Sequence, residues 1–189
     1  MINYIAYRKF VSLKNGKRLM FRFLTSQDRQ GLIQLFQEAP EEDTRFLKQN
    51  VKDKHMINYW MDHIEYPKVL PLLAVDLEKN QIVADATLHR GKHASKHIGE
   101  IRVFVSRFYR GLGLGSLILE ELINLALLEN LQWLKAEIIA DNKKVIKAFR
   151  AQGFEPKALL DDYFLRPDGV THDVVLMMRR VVKKEEAEF

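Results

Sequence analysis

The turn Arg110-Gly111-Leu112-Gly113-Leu114-Gly115-Ser116 and the carboxylate of Glu100 upstream of it are the residues most able to do chemistry in this chain. The three glycines alternate with larger residues just where helical periodicity begins at Leu114. Glycine has no Cβ, so such a turn can press its N–H groups against an anion, and a following helix adds partial positive charge at its N-terminus. The pattern predicts a seat for a pyrophosphate. Two familiar seats are disfavoured. A Walker loop needs Gly-Lys-Ser/Thr, whereas Gly115 is followed by Ser116 and Leu117. A dinucleotide fingerprint needs G-x-G-x-x-G and an acidic residue after a second strand, and neither is present.

Glu100 lies on an alternating segment, Ile98 to Val105, in which Glu100, Arg102 and Phe104 share one face and Ile101, Val103 and Val105 the other. It is the only carboxylate of that segment. An acid there suits proton transfer to or from a bound group, or an ordinary ion pair with Arg102 or His89. Three histidines, His89, His93 and His97, recur every four residues, but they straddle a strand end and a polar loop without cysteine or clustered carboxylates. A solvated loop explains them better than a metal site, and no metal is expected.

The elements that must position these groups follow from periodicity. Tyr7 to Leu13 and Arg18 to Thr25 alternate around Asn15-Gly16, a two-residue hairpin signal. Helices are expected over about 28–38, then in two pieces around 43–49 and 53–64. Strands are expected at 69–77, 81–90 and 98–105, a long helix at 113–130, and a strand at 133–140 whose strand-helix-strand order favours a parallel crossover. Asp141-Asn142 caps a further helix that stops at Gly153, and a closing hairpin at 158–166 and 171–182 turns at Arg166-Pro167-Asp168-Gly169. Residues 183–189 read as a frayed tail.

That order, together with the turn, resembles the GNAT superfamily of N-acetyltransferases over essentially the whole chain. Arg110, Gly113 and Gly115 match its acyl-CoA motif R/Q-x-x-G-x-G/A, and Asn142 to Phe154 is similar to its N-x-x-A-x-x-x-Y/F-x-x-x-G-F motif. The stretches 14–73 and 172–177 look like the acetyltransferase domain of bacterial protein-lysine acetyltransferases. The resemblance implies an α/β GNAT fold: a mixed sheet with an antiparallel N-terminal half, a splay at the CoA site, about four helices and an additional N-terminal strand within residues 1–17.

It further implies acetyl-CoA as acyl donor and direct transfer to a primary amine, with protein lysine favoured. Acetylation of a small amine, such as an amino acid, polyamine or antibiotic, and CoA binding without turnover are the rival readings. By the same resemblance Glu100 is the general base. Val103, Phe104 and Val105 offer backbone groups to the pantetheine arm, one N–H polarising the thioester carbonyl. Arg110, Gly111, Gly113, Gly115 and Ser116 hold the pyrophosphate, and Asn142 and Phe149 border the CoA arm. Phe149 departs from the tyrosine of many relatives, and a phenyl ring has no proton for a leaving thiolate. Either the CoA thiolate departs unassisted or through water, or another donor such as Tyr109 or Tyr163 serves it, and no catalytic acid is assigned.

A base matters for such chemistry. A lysine-like ammonium with pKa near 10.4 is free base in only about one part in a few thousand at neutral pH, roughly 4–5 kcal/mol uphill.

Composition sets the outer bounds. The 189 residues are 47% hydrophobic and 29% charged, enough for one compact domain over 1–189. No cysteine is present, so transfer through an enzyme thiol is excluded. The net charge of +5 is spread along the sequence, which suits a solvated surface and attraction of a CoA polyanion better than nucleic-acid binding. No segment resembles a signal peptide or membrane span, so a cytoplasmic protein, monomer or homodimer, is expected.

Overall fold

The computed structural model describes residues 3–166 and 168–181. The expected tail at 183–189 and Pro167 of the last turn lie outside them. Among the described residues the strands form an eight-stranded sheet in the order β1-β2-β3-β4-β5-β6-β8-β7. Its strands are β1 (Lys9–Ser12), β2 (Arg18–Phe23), β3 (Val69–Asp76), β4 (Gln81–Arg90), β5 (Ile98–Val105), β6 (Trp133–Ile139), β7 (Glu155–Leu165) and β8 (Thr171–Arg180). The described residues also form five α-helices: α1 (Arg29–Gln37), α2 (Glu41–Thr44), α3 (Lys54–Asp62), α4 (Leu114–Leu128) and α5 (Lys143–Ala151). The described residues divide into two compact units, one within 3–87 with 103–117, the other within 88–102 with 118–166 and 168–181.

The first unit begins with the β1-β2 hairpin. Its connection is a three-residue loop, 14–16, rather than the expected two-residue turn. Leu13 N–H bonds the Lys17 carbonyl, Gly16 N–H bonds the Leu13 carbonyl, and Gly16 stands at φ +82°. This is a type I turn followed by a left-handed glycine, whose twist suits an antiparallel pair. β2 pairs with β3 from Leu19–Asp76 to Phe23–Leu72. The alternation of β2 buries Leu19, Phe21 and Phe23 on one face, while Arg22 on the other reaches Asp28 with two bonds of 2.6 and 2.5 Å. Asp28 also accepts from the N–H and hydroxyl of Thr25, fixing the entry to α1. Burial works against the Asp28 charge, but Arg22 and Thr25 outweigh it and hold the carboxyl below its ordinary range. Leu32, Ile33, Leu35 and Phe36 of α1 and Ile57 and Met61 of α3 form one core with Leu73, Val75 and Phe104. The second expected helical region is shorter than its apolar period suggests: α2 is a single turn after Pro40, and Asp53 caps α3 through the His55 N–H.

In the second unit, β6 pairs with β8 along its whole length and β8 with β7, whose register shifts between Leu160 and Phe164. The parallel β5-β6 ladder is short. It runs Ile98–Trp133, Gly99–Leu134 and Glu100–Lys135, with no later pair among the described residues, although β5 continues to Val105 and β6 to Ile139. Gly99 is required by a close approach: a Cβ there would meet Leu88, Leu131 and Leu134 side chains at 2.6, 2.8 and 3.0 Å. Asn142 caps α5 by accepting from Val145 N–H, and Gly153 ends the helix at φ +77°.

Candidate functional site

Within the first unit, the end of β5 leads into a tightly braced turn. Ser106 N–H bonds the Val83 carbonyl, and a 3-10 turn, Arg107–Tyr109, follows. Tyr109 is buried and donates its hydroxyl to Asp76 Oδ2 at 2.6 Å, while the other Asp76 oxygen accepts from the N–H groups of Glu78 and Lys79. Burial, the bond to Asp76 and the Asp76 charge push the Tyr109 hydroxyl far above its usual range. Tyr109 is thereby a brace, its hydroxyl proton held by Asp76. Tyr163 is half exposed on β7 with its ring against Phe164.

Past this brace the backbone turns outward. Gly111 and Gly113 stand at φ +74° and +90°, a region that side chains rarely adopt. The first bond to close the helix runs from Leu117 N–H to the Gly113 carbonyl at 3.2 Å. The preceding N–H groups, from Gly111 to Ser116, have no backbone acceptor among the described residues. A Cβ built on Gly111 or Gly115 would meet nothing within 4 Å, so their flank of the backbone is open. A run of unspent donors at the start of α4 suits a multiply charged anion such as a pyrophosphate.

Arg110 does not point its guanidinium at this row. Nε donates to the Val105 carbonyl at 2.9 Å and Nη1 to Asp43 Oδ1 at 2.8 Å. Arg107 bonds Glu42 at 2.9 Å and lies 3.4 Å from Asp43. The two arginines therefore tie the turn to α2, and the acids of α2 spend much of their charge. Of the strand candidates, Phe104 is buried with its ring 5.2 Å from Phe36, and the Val105 carbonyl is taken by Arg110. Ser116 is exposed beside the row of donors.

In the second unit, Glu100 sits between two cations. Oε1 accepts from Arg102 Nε at 2.8 Å and Oε2 lies 3.0 Å from Lys135 Nζ, with the Glu100 side chain 14% exposed. Lys135 also lies 3.5 Å from Glu137. Burial disfavours the Lys135 charge, yet the bond and charge of Glu100, with Glu137 behind them, raise its pKa above the ordinary lysine value. The ion pair weighed in the sequence is thus present, with Lys135 as a partner that periodicity did not supply. Such a carboxylate is a proton acceptor only in exchange for weakening one of these contacts. Asn142 is occupied as a cap, and Phe149 is buried with its ring 5.0 Å from Phe154.

One carboxyl was missed from sequence. Asp85, in the middle of β4, keeps some solvent contact, yet burial pushes its pKa up to about 7. Continuing the ladder from the Ser106–Val83 bond sets Asp85 opposite Phe104. The signal was an acid flanked by alanines, Ala84-Asp85-Ala86, inside an otherwise apolar strand. Asp43 and Asp76 were likewise not singled out, because their partners are 67 and 33 residues away. No cluster able to hold a metal occurs among the described residues, and none of their helices is long and apolar enough to cross a membrane.

Residues 30–154 match the family model described as the acetyltransferase (GNAT) family. Among solved structures, a ribosomal-protein-alanine N-acetyltransferase from Brucella melitensis is 26% identical, with 85% of this chain and 98% of that chain covered at a TM-score of 0.73. The GNAT domain of S. lividans PAT shares the fold at 20% identity, covering 92% and 96% with a TM-score of 0.75. So does a GNAT superfamily phosphinothricin acetyltransferase from Sinorhizobium meliloti in complex with AcCoA, at 18% identity, 90% and 92% coverage and a TM-score of 0.76.

Proposed function

The chain belongs to the acetyltransferase (GNAT) family and is an acetyl-CoA-dependent N-acetyltransferase, and we propose on that premise that its acceptor is a primary amine, the side chain of a protein lysine. The observation that carries the donor half is the row of N–H groups from Gly111 to Ser116 without a backbone acceptor at the start of a fifteen-residue helix. Those donors, with the open flanks of Gly111 and Gly115, fit the pyrophosphate of the donor. Acetyl-CoA supplies an activated thioester; this chain supplies position, charge and proton traffic.

The turn anchors the donor's phosphates. The backbone of β5 from Val103 to Val105 offers peptide N–H groups to the pantetheine arm, and one of them stabilises negative charge developing on the thioester oxygen. Glu100 takes the proton of the incoming ammonium, directly or through water. Its contacts with Arg102 and Lys135 orient it before the proton arrives. CoA thiolate departs without a tyrosine at Phe149, since a thiolate is a good leaving group.

Protein lysine is preferred over a small amine on the resemblance of 14–73 and 172–177 to bacterial protein-lysine acetyltransferases. The test is incorporation of label from acetyl-CoA into a cell extract, separated into protein and small-molecule fractions. Label on protein lysines supports the proposal; label confined to metabolites overturns the choice of acceptor.

A further inference from the structure

The pyrophosphate turn lacks the cation that the sequence assigned to it. Arg110 is bonded to Val105 and Asp43, and Arg107 faces Glu42 and Asp43. Lys17 approaches Asp76 at 3.6 Å. A different side chain lies on the turn. Lys14, at the tip of the β1-β2 hairpin, donates its backbone N–H to the Leu112 carbonyl at 3.1 Å. Its stem passes over Gly113: a Cβ built there would lie 3.6 Å from Lys14 Cγ, 3.9 Å from Cδ and 3.6 Å from Cε. The ammonium is one bond beyond Cε, and Lys14 has no carboxylate partner among the described residues.

We propose that Lys14 is a phosphate ligand of the donor site, its ammonium completing the amide row around the pyrophosphate of acetyl-CoA. The proposal rests on the reading of residues 111–116 as the pyrophosphate seat. Physical chemistry favours a lysine in this place. Backbone N–H groups supply directed bonds but no net charge, and the pyrophosphate brings two negative charges. A compact ammonium on a flexible stem can follow whichever phosphate oxygen the amides leave uncovered. The anchored backbone and the stem laid over Gly113 restrict the side chain beforehand, lowering the entropic cost of the contact. The additional N-terminal strand thereby acquires a function, because the hairpin it forms carries the cation to the turn.

The test is calorimetric titration of wild type, Lys14→Met and Lys14→Arg with CoA and with 3′-dephospho-CoA. Methionine keeps most of the stem over Gly113 and removes only the charge, and an unchanged melting temperature confirms that the hairpin still packs. Lys14→Met is expected to weaken both ligands by the same factor, about five- to tenfold, and Lys14→Arg to recover most of the loss. Equal affinities for wild type and Lys14→Met overturn the proposal. A loss seen with CoA but not with 3′-dephospho-CoA also overturns it, because the ammonium would then serve the 3′-phosphate. Failure of wild type to bind either ligand would instead sink the underlying donor-site reading.

Discussion

Tyr109→Phe removes a single hydroxyl from the brace in front of the glycine turn. The lost bond is short, 2.6 Å, and its acceptor Asp76 is a carboxylate with a side chain only 1% exposed. What remains on Asp76 is the pair of N–H bonds from Glu78 and Lys79 at 2.9 and 3.1 Å, with Lys17 3.6 Å from the abandoned oxygen. Water has no ready access to replace the phenol. Losing one charge-assisted bond to a buried carboxylate costs about 1.5–3 kcal/mol. For a domain of this size that lowers the melting temperature by roughly 3–12 °C.

The pH dependence has a definite sign. Burial alone would raise Asp76, but the bonds from Tyr109, Lys79 and Glu78 and the charge of Lys17 hold it below its ordinary value of 3.8. Their stabilisation is therefore full above 3.8 and lost as pH falls through the lower folded value. The gap between wild type and variant should be constant at neutral pH and close in acid. Urea unfolding over a pH series measures it, and steady-state kinetics on the same samples should show an increased KM for acetyl-CoA with kcat retained. A kcat reduced tenfold or more at unchanged stability would refute the reasoning and make Tyr109 a proton donor.

Gly99→Ala places a methyl group against Leu88, Leu131 and Leu134 where the nearest approach is 2.6 Å, and should destabilise by about 1–3 kcal/mol in chemical denaturation. An unchanged midpoint would mean that the leucines yield freely. Asp85→Asn should act in the opposite direction. The folded pKa of about 7 lies above the ordinary value of 3.8, so the contribution of Asp85 to stability is full below 3.8 and lost as pH rises through 7. The variant should melt above wild type at about pH 8, by on the order of 1–3 kcal/mol, with the difference fading towards pH 4. Parallel melting curves over that range would contradict it.

Local pattern carried most of the fold into view. Strands β4 and β5 begin and end where alternation and the Gly91 to Lys96 loop place them, and α5 stops at Gly153 because that residue alone takes the left-handed turn. The hairpin loop was misread by one residue, since Asn-Gly suits a two-residue turn as well as a three-residue loop with a left-handed glycine. The pyrophosphate turn was legible because its glycines are a local requirement. Partners of its side chains were not: Asp43 reaches Arg110 across 67 residues, and only folding reveals that the arginine is spent. Lys135 on β6 likewise reaches Glu100 only through the parallel ladder. Lys14 lay in a turn that sequence reasoning treated as a connection, although its stem crosses the glycine that the motif depends on.

The central claim is that Glu100 accepts the proton of an amine while the turn at 111–116 holds the donor. Single-turnover acetyl transfer by Glu100→Gln, measured beside acetyl-CoA affinity on the same protein, tests it most directly. The amide keeps the shape of the side chain but cannot take the proton. Transfer should fall by about a hundredfold or more with affinity unchanged. Transfer equal to that of wild type would contradict the account and leave Glu100 as an ion-pair partner of Arg102 and Lys135.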